Sequence, residues 1–188
     1  MPRAKPSPSL APSKLLLEFL DRVTSSYGEP ILDAPCGFGR NALALASRGY
    51  NVIAVDNNVD CLKSINESAL SLGELQSAGS GKIVTLCADL TADRLPFQKS
   101  SFSAILCIHY PVQRIIQDLC AALKDGGWLY VETFGGQGQN YLELPKLGEI
   151  TQALQGFEQV ICKEKPVGPA CHSAAVVHAL AQKPLRQS

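Results

Sequence analysis

Three acidic residues and two glycines, placed around the ends of three short apolar runs, predict a site for a nucleoside. Asp33 ends the first run, and Gly37 and Gly39 after it permit a tight turn that a ligand can approach closely. Asp56 ends the second run, 17 residues after Gly39, where a carboxylate can accept hydrogen bonds from both hydroxyls of a ribose. Asp89 ends the third run, where it can accept a hydrogen bond from the amino group of an adenine.

The charge of Asp33 indicates which nucleoside to expect. It stands where a dinucleotide-binding turn normally has an apolar residue, and its carboxylate would repel a pyrophosphate. The ligand should therefore carry a positive group. S-adenosylmethionine (SAM) has an ammonium and a sulfonium and no phosphate. One such acid alone would be interpreted as a helix cap or a turn residue, whereas three in register with the glycines favour SAM as the cofactor.

The elements that must position these residues alternate between strand and helix patterns along the chain. Strands are predicted at 30–34, 51–55, 82–87, 102–108, 128–133, 157–165 and 173–181. Helices are predicted to begin at Ser13, Asn41, Asn57 or Asn58, Val112 and Pro145. This alternation predicts an α/β fold with a mostly parallel seven-stranded sheet and helices on both faces, in three layers. About seven residues separate the last two strands, too few for a parallel crossover, so the final strand should be antiparallel.

The domain organisation predicted from these elements is simple. Residues 13–182 are expected to form one domain, after a proline-rich lead-in at 1–12 and before a tail at 183–188. The asparagine before the third predicted helix is expected to cap it, with Val59, Leu62, Ile65, Ala69 and Leu72 facing inward. Asp125, Gly126 and Gly127 are predicted to form a turn ahead of the fifth strand.

Three stretches of the chain resemble the motifs of class I SAM-dependent methyltransferases. They are ILDAPCGFGRNALALASRGYNVIAVDNN, ADLTADRLPFQKSSFSAILCIHY and DGGWLYVETF. The resemblance covers about residues 14–182 and implies a Rossmann-like fold, a methyltransferase activity and SAM as the cofactor. The short length and the stretch FGGQGQNYLELPKLGEITQAL are similar to small bacterial methyltransferases, including the tellurite-resistance and thiopurine types.

The same resemblance implies a role for each residue of the SAM site. Asp33, Gly37 and Gly39 would hold the methionine end, with Cys36 in the same turn. Asp56 would bind the ribose and Asn57 the side of the adenine. Asp89 and Leu90 would contact the adenine edge, and Cys107 or Ile108 would offer a backbone carbonyl to the ammonium.

The methyl acceptor is expected beside His109 and Tyr110, which follow the fourth predicted strand. Ligands of open α/β sheets bind at the carboxyl ends of the strands. An imidazole can take a proton from a hydroxyl, amine or thiol, so His109 is the candidate base, with pocket lining or one structural hydrogen bond as the alternative. Tyr110 is a candidate wall of the pocket. The motif departs from the Asn/Asp-Pro-Pro-Tyr pattern of many adenine, cytosine and glutamine methyltransferases, which disfavours those substrates.

Two further segments are predicted to overhang the acceptor. The loop Phe134–Leu144 is rich in glycine, glutamine and asparagine and is expected to be mobile, and Val167–His172 forms the turn of the final hairpin. His172 is expected at the surface, with the cleft as the alternative. His178 alternates with apolar neighbours in a strand and is interpreted as structural.

Composition narrows the possible partners. The 188 residues carry 17 basic and 17 acidic side chains with no block of Lys or Arg, which disfavours nucleic acid. No apolar run reaches the roughly 18 residues of a membrane span, and the start of the chain lacks the apolar segment of a secretory signal. Seven cysteines without a C-x-x-C pair predict reduced thiols in the cytoplasm and no metal site. With no inserted cap domain, a small-molecule acceptor is expected, and a homodimer partner is an open possibility.

Two other functions compete with methyl transfer. One is a SAM-binding protein without catalytic activity, because an intact glycine turn argues for binding and not for turnover. The other is an NAD(P)-dependent oxidoreductase, which would need an apolar residue at position 33 and a substrate domain.

Overall fold

The computed structural model describes residues 29–75, 81–92 and 95–185, together with Pro12, Leu16 and Leu20. The strands are β1 (Ile31–Asp33), β2 (Val52–Asp56), β3 (Ile83–Cys87), β4 (Phe102–Ile108), β5 (Leu123–Glu132), β6 (Glu158–Pro166) and β7 (Ala175–Gln182). The α-helices are α1 (Arg40–Ala46), α2 (Val59–Leu75), α3 (Ile116–Ala122) and α4 (Glu149–Ala153). Short 3₁₀ turns occupy Val112–Arg114, Asn140–Glu143 and Ala170–His172.

The strands form one seven-stranded sheet in the order β3-β2-β1-β4-β5-β7-β6. The pairs from β3 across to β5 are parallel, and β7 is antiparallel to both β5 and β6. The predicted fold class is therefore confirmed, including the antiparallel final strand. The chain moves outward in opposite directions from β1 and β4, which makes the carboxyl ends of these two strands the topological switch point where ligands of such sheets bind.

Two hydrophobic clusters cover the two faces of the sheet. Alternate residues of β4 belong to different clusters, because successive side chains of a strand point to opposite faces. Ile105 and Cys107 lie in the cluster that includes the buried residues of α3. Leu106 and Ile108 lie in the cluster that includes those of α1 and α2. All seven residues of β4 are buried, as expected for a central strand covered on both sides.

The start of α2 follows the sequence prediction in its cap but not in its first apolar residue. Asn58 Oδ1 accepts hydrogen bonds from the backbone N–H groups of Asp60 (2.9 Å) and Cys61 (3.4 Å), which is an N-cap. Leu62 and Ile65 face inward as predicted. The inward position of Val59 is wrong, since it is exposed. It lies next to the cap, and the buried face of the helix begins only at Cys61 and Leu62.

Two other boundaries differ from the prediction because contacts distant in sequence decide them. The fourth helix begins at Glu149 and not near Pro145, whose carbonyl accepts a hydrogen bond from Ala175 N at 2.9 Å. Leu147 N likewise donates to Ser173 O at 2.6 Å, so this segment is held against the start of β7. The predicted turn at Gly126 lies inside β5, where Gly126 N donates to Lys183 O at 2.9 Å.

The helix predicted from Ser13 and the lead-in at 1–12 fall mostly outside the described residues. Leu16 and Leu20 are helical, and Leu16 is fully buried in the cluster of α1 and α2. Among the helices that the structure describes, none is long and apolar enough to cross a membrane.

Candidate active site

The turn after β1 is tied to the end of β2 by backbone and side-chain hydrogen bonds. Gly37 N donates to Asp56 Oδ2 at 2.8 Å, and Cys36 N donates to Val55 O at 2.8 Å. The other carboxylate oxygen of Asp56 accepts a hydrogen bond from Asn58 N at 2.9 Å. Asp56 is therefore brought to the glycine turn as the sequence predicted, and its nearly buried carboxylate already orders both neighbouring segments.

Glycine is favoured at positions 37 and 39 of the turn for different structural reasons. Both have positive φ, 52° at Gly37 and 78° at Gly39, a region that favours glycine. A Cβ at Gly39 would lie 2.4 Å from Ile65 Cγ1, so α2 packs directly on this residue. A Cβ at Gly37 would meet no described atom within 4 Å, so one side of this residue is open. Gly39 thus serves packing, whereas Gly37 leaves space for a ligand.

Asp33, the last residue of β1, is fully buried, and neither of its carboxylate oxygens has a hydrogen-bond partner among the described residues. Burial, together with the charge of Asp56, raises its pKa to about 7, while the Ala42 amide and Arg40 lower it in part. The Ala42 amide lies near this carboxylate, but not in hydrogen-bonding geometry. Buried polar atoms are nearly always paired, so this carboxylate is expected to accept a hydrogen bond from a donor that is not among the described residues.

The residues predicted around the adenine lie at the ends of β2 and β3. Asp89 is exposed, and its Oδ1 accepts hydrogen bonds from Thr91 N and Thr91 Oγ1, both at 2.8 Å. These bonds lower the pKa of Asp89. Asn57 is exposed and Leu90 is buried beside them. The geometry thus gives Asp89 a local role in a turn, and its contact with the adenine stays a prediction.

The cysteines predicted at the site are buried thiols. Burial raises the pKa of Cys36 and of Cys107, so both are neutral at physiological pH. All seven cysteines are free. In the described ranges, no group of three or more His, Cys, Asp and Glu residues is arranged to hold a metal ion.

His109 follows β4 in a left-handed backbone conformation, with φ 57°. Its backbone N–H donates to Glu132 O at 2.6 Å, and its half-exposed imidazole lies with Nε2 3.5 Å from Glu132 Oε1. Tyr110 is partly buried, its hydroxyl has no hydrogen-bond partner within the described residues, and burial raises its pKa. Both predicted acceptor residues therefore follow the carboxyl end of β4, and His109 lies on the side of β5.

Glu132, the last residue of β5, was not predicted from the sequence. Besides His109, it faces His178 Nε2 at 3.9 Å, and its Oε2 accepts a hydrogen bond from the Tyr130 hydroxyl at 2.8 Å. An acid that ends an apolar strand is the same signal that identified Asp33 and Asp56, and it was present here in the residues WLYVE. The structure brings His178 to this carboxylate, and a purely structural role for His178 stays a prediction.

The two segments predicted to overhang the acceptor are packed against one another. The ring centroids of Tyr141 and His172 lie 5.3 Å apart. A Cβ at Gly168 would lie 2.7 Å from Tyr141 Cγ, and a Cβ at Gly136 would lie 2.5 Å from Val167 Cγ2. His172 is exposed and contacts the loop. The loop Phe134–Leu144 and the hairpin turn thus form one packed unit, named the cover here, while its position over the acceptor and the mobility of the loop stay predictions.

Comparison with known proteins agrees with this geometry. Residues 31–127 match the family model described as "Methyltransferase domain". The ubiquinone biosynthesis O-methyltransferase of Chromobacterium violaceum is 29% identical over 133 residues, which cover 68% of this chain and 54% of that protein. The ubiquinone biosynthesis O-methyltransferase of Xylella fastidiosa is 31% identical over 137 residues, which cover 70% and 52%. The chain spans about half the length of the curated relatives it matches.

Solved structures share the fold at lower sequence identity. A SAM-dependent methyltransferase from Methanosarcina mazei has a TM-score of 0.64 at 21% identity, with 94% of this chain and 100% of that chain covered. The [4+2]-cyclase SpnF has a TM-score of 0.67 at 18% identity, with 92% and 80% covered. Because one neighbour is named as a methyltransferase and another as a cyclase, these structures bear on the fold and leave the chemistry to the site.

Proposed function

Because the chain belongs to the methyltransferase-domain family of the class I SAM-dependent methyltransferases, we propose that it transfers a methyl group from SAM to a small-molecule acceptor. The observation that carries this proposal is Asp33. Its carboxylate is fully buried at the switch point of the sheet, has no hydrogen-bond partner among the described residues, and precedes Gly37, one side of which is open, by four residues in the chain. A ligand with a cationic amino-acid end supplies the missing partner, whereas a pyrophosphate would be repelled.

The remaining residues of the turn fit the rest of SAM. Each Asp56 oxygen accepts one backbone hydrogen bond, and a carboxylate oxygen has a second lone pair that can accept from a ribose hydroxyl. Asn57, Asp89 and Leu90 lie at the neighbouring strand ends, on the side proposed for the adenine. The proposed cofactor-binding residues are Asp33, Cys36, Gly37, Gly39, Asp56, Asn57, Asp89, Leu90 and Cys107.

The chain's part in the reaction is to align the acceptor and to receive its proton. SAM supplies an activated methyl group on a sulfonium. Since the leaving group is already good, alignment provides most of the rate enhancement. We propose His109 as the group that accepts the proton, with Tyr110 lining the pocket. Both follow β4 at the switch point, next to the turn that would hold SAM.

We propose an oxygen nucleophile on the acceptor. The support is the name of the relatives in Chromobacterium violaceum and Xylella fastidiosa, which are O-methyltransferases of ubiquinone biosynthesis. The cover formed by the loop and the hairpin turn offers Tyr141 as an aromatic surface for a small acceptor. A formal net charge of zero disfavours nucleic acid as the acceptor.

The cellular setting is part of the same proposal. Seven free cysteines are the composition of a protein in a reducing compartment, which supports the cytoplasm. Light scattering at the protein concentrations used for activity measures whether the chain forms a homodimer, which would be needed for a partner to complete the acceptor site.

Calorimetry and mass spectrometry test the proposal. SAM and S-adenosylhomocysteine should bind with dissociation constants of about 1 μM or lower, roughly 8 kcal/mol of binding free energy. NAD should bind far more weakly, and NAD binding tighter than SAM would overturn the assignment. A mass-spectrometric screen for metabolites that gain one methyl group then identifies the acceptor. SAM binding with no methylated product in the screen would instead favour a SAM-binding protein without catalytic activity.

A further inference from the structure

The carboxylate of Glu132 connects three side chains at the acceptor edge of the sheet. Its Oε1 lies 3.5 Å from His109 Nε2 and 3.9 Å from His178 Nε2, and its Oε2 accepts a hydrogen bond from the Tyr130 hydroxyl at 2.8 Å. These residues come from β5, β7 and the residue after β4, three strands that neighbour each other in the sheet. The hydrogen bonds described above for the glycine turn involve none of these four residues.

Glu132 is held in place on several sides. Tyr130 lies two residues earlier on the same face of β5, is buried, and fixes one carboxylate oxygen through its hydroxyl. Glu132 and His178 are directly opposite in the antiparallel register of β5 and β7. The Glu132 side chain is only 16% exposed, so its charge acts on its neighbours through little solvent.

His109 is held by the same residue at two points. Its backbone N–H donates to the Glu132 carbonyl, and its imidazole meets the Glu132 carboxylate. The backbone at His109 is left-handed, which costs a non-glycine residue stability and persists where the surroundings impose it. Strain of this kind clusters at functional sites. The neighbourhood therefore imposes both the position and the orientation of this imidazole.

We propose that Glu132 is the positioning residue of the acceptor site: it orients the His109 imidazole and keeps the proton on Nε2. This inference rests on the proposed function, in which His109 receives the proton of the acceptor. With Nε2–H directed at Glu132, the lone pair of Nδ1 is the one available to the acceptor. The O–H bond of the acceptor breaks and an N–H bond forms at Nδ1. The acceptor oxygen would use the electron pair of its broken O–H bond to bond to the methyl group that SAM supplies, and the sulfonium sulfur would keep the electron pair of the C–S bond and become neutral. Glu132 would stabilise the positive charge left on His109.

Nuclear magnetic resonance on the protein labelled with ¹⁵N at its three histidines tests the orientation without SAM or an acceptor. At about pH 8.5, above the ordinary pKa of imidazole, the ring nitrogens of neutral His109 should show a protonated Nε2 and an unprotonated Nδ1. A protonated Nδ1 on His109 would overturn the proposal, since Nε2 would then have no proton to direct at the carboxylate.

The reactivity of His109 toward diethyl pyrocarbonate tests the role of the charge. In Glu132→Gln, which keeps the shape and removes the charge, the rate of His109 modification at about pH 8.5 should fall roughly fivefold, because a charged partner stabilises the developing imidazolium better than a neutral one. His172, which contacts Tyr141, is an internal reference whose rate should not change. Glu158→Gln makes the same chemical change at the exposed start of β6 and should leave His109 unaffected.

A second variant separates charge from fold. Tyr130→Phe removes only the hydroxyl that fixes Oε2 and should lower the His109 rate in the same direction by a smaller factor. Equal His109 rates in the wild type and in a folded Glu132→Gln variant would overturn the proposal. SAM affinity, measured separately by calorimetry, should be the same in both proteins. Wild-type protein that fails to bind SAM would reject the proposed function, while the His109 rates would still decide whether the pair exists.

Discussion

The two halves of the proposed site are built in different ways. At the cofactor half, each oxygen of the Asp56 carboxylate accepts one backbone hydrogen bond, from Gly37 N or from Asn58 N. At the acceptor half, the Glu132 carboxylate faces His109 and His178, which come from the neighbouring strands, and Tyr130 of its own strand. The first arrangement depends on local spacing and fixes the shape of a turn. The second depends on the register of the sheet and fixes the orientation of an imidazole.

Asp33→Asn should change both the stability of the fold and the binding of SAM. The pKa of Asp33 is raised to about 7 from 3.8, so the folded chain keeps a proton that the unfolded chain has already lost between these pH values. The free energy of unfolding of the SAM-free protein should therefore fall as pH rises from about 4 to about 7. Asparagine removes this penalty, and at pH 8 it should raise the free energy of unfolding by roughly 2–4 kcal/mol. Urea unfolding at pH 8 and at pH 4 measures it, and the gain should vanish at the lower pH.

The same substitution should weaken SAM binding. In the wild type, SAM affinity should rise with pH through about 7, because binding of a cation favours the ionised Asp33. Asp33→Asn should bind more weakly and lose this pH dependence in calorimetry. A variant that is less stable than the wild type at pH 8 would show that Asp33 has its partner within the protein. A variant that binds SAM as the wild type does would show that SAM is not the partner of Asp33.

Asp56→Ala should lose SAM affinity while the domain stays folded. Two hydrogen bonds to the ribose would be absent, each worth roughly 1.5–3 kcal/mol for a charged acceptor. The bonds to Gly37 and Asn58 would be lost as well, so the turn should loosen. Asp56→Asn is the matched control, because it retains one oxygen acceptor and should lose less. Calorimetry measures the SAM affinity, and a circular-dichroism melt shows whether the variant is folded. Unchanged affinity in the folded alanine variant would rule out the ribose role.

His109→Ala should spare SAM binding and lower turnover. As a base, His109 would contribute roughly a hundredfold or more to the rate, whereas as a pocket wall it should mainly raise KM. Steady-state kinetics with an acceptor from the methylation screen separate the two roles. A base should also give an acidic limb in the pH profile that disappears in the variant. Wild-type kcat and KM would remove His109 from the site and shift attention to Phe134–Leu144.

Alanine substitutions at the two glycines should have the smallest effects, and the effects at the two positions should differ. Gly39→Ala places a Cβ against Ile65 and should destabilise the fold by roughly 1–3 kcal/mol. Gly37→Ala meets open space and should cost only about 1 kcal/mol for its positive φ, but it should weaken SAM binding. Thermal melts and calorimetry on the pair check this. Equal losses of stability, with SAM affinity retained in Gly37→Ala, would show that the open side of Gly37 faces no cofactor.

The sequence predicted the fold class and the approach of Asp56 to the glycine turn because both depend on patterns within a few neighbouring elements. Strand and helix periodicity, the short connection before the last strand, and the spacing from Asp33 to Asp56 are all local. The start of α4 was missed because Pro145 is bonded to Ala175, thirty residues later. The pairing of Glu132 with His109 and His178 was missed for the same reason. No spacing in the chain reveals a contact that only the sheet register creates.

The packing of the cover has a consequence for motion. Tyr141 of the loop after β5 lies against Gly168 and His172 of the hairpin turn, and Val167 of the turn lies against Gly136 of the loop. Because of these contacts, neither segment can move outward without breaking its packing against the other. Segments that share their contacts open as one cooperative unit. Backbone amides in both segments should therefore exchange with deuterium at a common opening free energy. Access to the acceptor edge is then a single opening event, rather than the independent fluctuation of two loops.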